Sequence, residues 1–116
     1  VRLVFRIGLF ACALAVALLA LIPLSETPLT SYDKINHILA FAVLAWLADG
    51  AYPGPESAPR RIGLLLLYGL LIEAVQHQLP YRQFSWLDLG ADALGVAGYT
   101  GVAMLAAKAS RTADPR

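Results

Sequence analysis

Four apolar blocks, separated by short polar or proline-rich stretches, organise the chain. The first runs from Leu3 to about Pro23 and is broken only by Arg6. Its apolar residues form a continuous run rather than a stripe, and at ~1.5 Å per residue the block crosses a hydrocarbon core of ~30 Å. Arg2 and Arg6 before an Ala/Leu-rich stretch also resemble a signal peptide. Because further blocks of the same kind follow, the segment is read as a first span.

Residues 24–32 carry Pro28 and several cap-forming side chains, which predicts a loop. A second helix is expected over about 33–49, with Asn36 and His37 interrupting its apolar body. Residues 51–59 contain Pro53, Gly54, Pro55 and Pro59, a clear helix break. A third helix is expected over about 61–79, where Pro80 stops it. Ser85 reads as the N-cap of a fourth, over about 86–108, with Asp88 three residues on. Small residues recur in that helix at Ala93, Ala97 and Gly101, with Gly90, Gly95 and Gly98 beside them. Such stripes let helix backbones approach in lipid, which predicts the tightest packing there; a dimer seam is the alternative. The fold class is therefore an all-α membrane protein with four transmembrane helices in one domain, residues 1–108, followed by a frayed polar tail, 109–116.

Composition agrees. Of the 116 residues, 59% are hydrophobic and 15% charged, too few charges for the surface of a soluble domain this small. The net charge of +1 carries little information, but its distribution does. With four spans, Arg2, Arg6, Arg60, Arg61, Lys108, Arg111 and Arg116 fall on one side, leaving only Lys34 and Arg82 on the other. The positive-inside tendency then places both termini in the cytoplasm and the loops at 24–32 and 80–85 outside. The expected location is a cytoplasmic (inner) membrane, multi-pass. No basic run with interleaved aromatics suggests nucleic acid. The single cysteine, Cys12, lies in an apolar run and reads as a packing residue.

The remaining polar residues gather towards the outer side. Asp33, Lys34 and His37 open the second helix. Glu73, Gln76 and His77 lie near the end of the third. Arg82, Ser85 and Asp88 surround the start of the fourth, and Asp92 lies further inside it. Helical rise puts His37, Glu73 and Asp92 at depths of ~6, ~9 and ~10 Å from their helix ends. Spacing places Glu73, Gln76 and His77 on one face, Asp88 and Asp92 on one face, and Asp33 and His37 on one face. Carboxylates at such depth are costly against lipid and should turn inward. Four acids against Lys34 and Arg82 require a protonated acid, a charged histidine or a bound cation. Plainer roles compete: Ser85, Asp33 and Asp88 as helix caps, Lys34 snorkelling, Arg82 holding helix register, and Asn36 and Gln76 as interhelical hydrogen-bond partners. For Glu73 and Asp92 function is the default reading.

Glu73 and His77 at i and i+4, with His37 and Asp92, were weighed as metal ligands. Without HExxH or a cysteine ligand, neither a metal nor any other cofactor is expected. No P-loop, dinucleotide or nucleophile-elbow motif is present, which favours a non-enzyme.

Asp33-Lys34-x-x-His37-x-x-x-Phe41 resembles the first signature of the VanZ-like membrane proteins. Leu71-Ile72-Glu73-x-x-Gln76 followed by Leu79-Pro80-x-Arg82-x-x-Ser85-x-x-Asp88 resembles the second, and Gly95 and Gly98 match the glycines that follow. The resemblance covers about residues 33–101. Asp92 departs from it, standing where that pattern usually has Asn; Tyr81 replaces a frequent glycine, and His77 lies outside the pattern. The namesake of the family is associated with teicoplanin resistance. The resemblance implies an envelope role, with the polar cluster (Asp33, Lys34, His37, Glu73, Gln76, Arg82, Ser85, Asp88, Asp92) binding a lipid headgroup or lipid-linked cell-wall precursor. The expected partners are thus membrane lipids. The other expectation is an accessory subunit, with a membrane protein or a second copy as partner and the cluster as interhelical glue.

Overall fold

A computed structural model describes residues 1–21, 33–78 and 86–113, with no account of the side chains of residues 33, 34 and 111–113. Among the described residues every regular element is helical: α1 (Arg2–Leu21), α2 (Asp33–Ala51), α3 (Ala58–His77) and α4 (Trp86–Ala113). The order and number match the sequence reading. Two bounds differ. Proline is well tolerated in a first helical turn, so α3 starts at Ala58 with Pro59 next. The expected tail is helical as far as Ala113, since Ala106, Ala107 and Ala109 are strong helix formers.

The break between α2 and α3 has a local cause. Gly54 adopts φ 109°, a conformation that side-chain-bearing residues rarely take, and a single 3-10 turn, Pro55–Ser57, leads into α3. Arg61 then reaches back, its Nη1 donating to the carbonyls of Tyr52 and Gly54 at 2.8 Å. Terminal carbonyls of a helix need such partners.

The core faces follow from helical spacing. On α2, Phe41, Leu44, Ala45 and Ala48 are buried. On α3 the buried positions are Leu65, Gly69, Glu73 and Gln76. On α4, Ala91, Asp92, Gly95 and Val96 are buried. Helix α2 packs most extensively on α4, while α1 lies against α2 and α3 and has no fully buried residue. Two α3 side chains tie it in place: the Tyr68 hydroxyl donates to the Ala13 carbonyl, and Gln76 Nε2 donates to the Ala20 carbonyl at 2.8 Å.

The expected small-residue stripe is corrected. Ala97 is exposed, and side chains added at Gly90, Gly98 or Gly101 would meet open space. The close approach is at Gly95 alone, where a Cβ would lie 2.3 Å from the Ile38 carbonyl oxygen and 3.0 Å from the Ala42 nitrogen. One rotation of α4 buries Ala91, Asp92, Gly95 and Val96 together, and that rotation turns the Ala97–Gly101 edge outward.

Two helices, Arg2–Leu21 and Trp86–Ser110, are long and apolar enough to cross a membrane. The apolar part of α2, Ile35–Ala51, is shorter, and α3 includes Arg60, Arg61 and Glu73. The outer surface is apolar on all four helices, with Leu3, Phe10, Leu14, Leu39, Trp46, Leu64, Leu71, Leu94 and Val102 exposed.

Candidate functional site

The core faces change character towards one end. One turn before Phe41, the inward face of α2 carries His37. One turn after Gly69, that of α3 carries Glu73. One turn before Val96, that of α4 carries Asp92. Three apolar stripes thus end in ionisable residues at a common level. Glu73 and Asp92 are 0% and 1% exposed.

His37 Nδ1 lies 2.5 Å from Asp92 Oδ1. A charge-assisted hydrogen bond of this length is strong, and it ties α2 to α4. The Glu73 carboxylate completes the group: one donor atom from each of His37, Glu73 and Asp92 lies within 4.8 Å of the others. Gly69 makes room for this arrangement. A Cβ there would stand 2.9 Å from Asp92 Oδ2 and 3.3 Å from Phe41 Cζ, so the missing side chain admits both groups against α3.

Of the residues expected at this site, the structure brings together His37, Glu73 and Asp92. Gln76 is buried at the same end but turns to α1 through its bond to Ala20. Asp88 is half-buried in the first turn of α4. His77, one turn after Glu73, is exposed at the end of α3. Asn36 is exposed, a position that does not suit an interhelical bond within the bundle. The side chains of Asp33 and Lys34, and all of Arg82 and Ser85, lie outside the described residues.

An apolar cavity of about 250 Å³ lies between α1 and α3, lined by Ala17, Leu21, Tyr68, Leu71, Ile72 and Val75.

The opposite end holds a second polar network that the sequence reading missed. Tyr99 donates to Asp49 Oδ2 at 2.8 Å, and Arg61 Nη2 lies 3.4 Å from Asp49 Oδ1. Arg6 Nε donates to the Ala51 carbonyl at 3.1 Å, with its guanidinium 4.6 Å from the Tyr52 ring centroid. All four helices contribute. The available signal was Asp49, an acid on the side where Arg6 and Arg61 were placed. The network ties helix ends together and satisfies terminal carbonyls, a structural role.

No family model, no curated protein and no solved structure matches the chain.

Proposed function

We propose that the chain is a VanZ-like, four-span protein of the bacterial cytoplasmic membrane that binds the phosphate-bearing headgroup of a lipid, or of a lipid-linked cell-wall precursor, at the outer leaflet. The observation that carries this reading is its burial pattern: large apolar side chains cover the outside, while Glu73 and Asp92 are sealed inside. Soluble proteins rarely expose apolar surface on this scale. Ionisable residues within a membrane face the bundle interior and mark sites of function. Helix α3, at 20 residues, reaches ~30 Å, long enough to span, and Glu73 is the charge that it hides.

Both termini are cytoplasmic in this reading, which puts the His37–Glu73–Asp92 group near the outer face. Lys34, three residues before His37, and Arg82, between α3 and α4, supply the cations for a phosphate. The acids beneath orient the bound headgroup, and the apolar cavity beside Ile72 and Val75 offers surface to an acyl chain. The VanZ-like assignment rests on the ordered motifs from Asp33 to Gly98, and with it comes an influence on teicoplanin susceptibility.

In detergent, wild-type protein should bind a lipid-linked pyrophosphate precursor, and Arg82→Ala should bind it at least about tenfold more weakly, the loss of one charged hydrogen-bonding partner. Equal affinity in a titration of the two proteins would sink the headgroup reading.

A second reading, an accessory subunit, is favoured by one observation. Gly90, Ala97 and Gly98 leave a small-residue face of α4 exposed, suited to close contact with another transmembrane helix. The buried cluster is then interhelical glue.

A further inference from the structure

We infer that His37, Glu73 and Asp92 form a binding site for one divalent transition-metal ion, with zinc as the best match. The inference reverses the expectation, drawn from the sequence, that no metal binds. That expectation turned on motifs along the chain. The ligands instead come from three helices, at separations of 19 to 55 residues, which no local motif captures.

Three features support the site. The first is the donor set. Imidazole nitrogen and carboxylate oxygen are both zinc ligands, and a zinc ion held by three side chains keeps a fourth position open. A lone imidazole with carboxylates also admits manganese, whereas magnesium and calcium prefer oxygen alone.

The second is distance. The three donor atoms lie within 4.8 Å of one another. Two ligands about 2.0–2.2 Å from one tetrahedral ion stand roughly 3.3 Å apart. The set therefore closes on an ion through side-chain movements of about 1 Å. The helix backbones, fixed where Gly95 meets Ile38, need not move. The His37–Asp92 hydrogen bond opens as the metal takes its place.

The third is charge. Two carboxylates that are 0% and 1% exposed lie together with one imidazole, and ionised carboxylates buried this deeply need positive charge close by. A divalent ion neutralises both at once, and the imidazole binds it in its neutral form.

Three protein ligands leave a fourth coordination position open. On the headgroup reading above, a phosphate oxygen fills it; the metal site itself does not depend on that reading.

The test uses purified full-length protein in detergent, stripped with a chelator and then titrated with zinc chloride against a chromophoric competitor, with no lipid added. The wild type should take up one zinc per chain. Glu73→Gln and Asp92→Asn, which keep shape while removing a charge, should each bind at least about 100-fold more weakly. His77→Gln, exposed and outside the group, should bind as the wild type does. Native mass spectrometry of the wild type alone, showing a single added zinc that a chelator removes, serves if either variant fails to fold. Absence of that adduct, or variants that fold and bind zinc as tightly as the wild type, would overturn the inference. Because lipid is absent, a failure here leaves the headgroup reading standing. A failure of Arg82→Ala to weaken lipid binding likewise leaves the zinc site standing.

Discussion

Gly95→Val is expected to unfold or split the bundle at the α2–α4 seam, costing about 3 kcal/mol or more, because overpacking a rigid contact forces backbones apart. A Cβ at this position would lie 2.3 Å from the Ile38 carbonyl oxygen, deep inside van der Waals contact. The obstructing atoms are backbone atoms of α2, so no rotamer change relieves the clash. The two helices must separate, and that seam is the most extensive in the molecule. Separation also pulls Asp92 away from His37, since each lies one turn or less from the contact. Gly98→Ala is the matched control. Nothing lies within 4 Å of a Cβ there. Alanine is the better helix former by about 1 kcal/mol, at least in water, so the change should be neutral or mildly stabilising. Denaturation in mixed sodium dodecyl sulfate and dodecyl maltoside micelles, followed by circular dichroism, reads both. Equal midpoints for the two variants would mean that α2 and α4 do not meet at Gly95.

The second large effect is expected at His37. His37→Ala leaves Glu73 and Asp92 as two neighbouring carboxylates in the interior, without the imidazole that bonds Asp92 at 2.5 Å. Removing one member of a buried ionic pair typically costs about 3–5 kcal/mol, most of it from stranding the other. Asp92→Asn should cost under about 1 kcal/mol, because the amide still bonds the ring and the interior loses a charge. The double variant His37→Ala with Asp92→Asn should recover part of the loss, a coupling that independent sites lack. The same micelle denaturation measures all three. A His37→Ala protein as stable as the wild type would show that the pair carries no structural load.

Much of the fold is legible along the chain because breaks are chemically loud. Three prolines and Gly54 end α2 wherever the rest of the molecule goes, and each apolar block extends between such breaks. The depth of His37, Glu73 and Asp92 is legible for the same reason: rise per residue converts position into height. Rotation about each helix axis is far less legible. A soluble helix declares its inner face by an apolar stripe, but here both faces are apolar, so periodicity assigns Glu73 inward without telling His77 from Gln76. Glycines pose the same problem. Four candidates in α4 look alike in sequence, and only the rotation that buries Asp92 selects Gly95. The Asp49–Arg61–Tyr99 network was obscured by distance along the chain. Its members are 12 to 50 residues apart, and Tyr99 reads in isolation as one more aromatic in an apolar helix.

The proposed headgroup site and its placement both rest on the proposed membrane topology, which is open to direct measurement. Single cysteines are introduced by Ser25→Cys, Ser57→Cys and Ser85→Cys, with Cys12 changed to alanine, and intact spheroplasts are treated with a membrane-impermeant maleimide. The account predicts labelling at positions 25 and 85 from outside, and at 57 only after the membrane is opened. Labelling of position 57 in intact spheroplasts, or protection of 85, would contradict it.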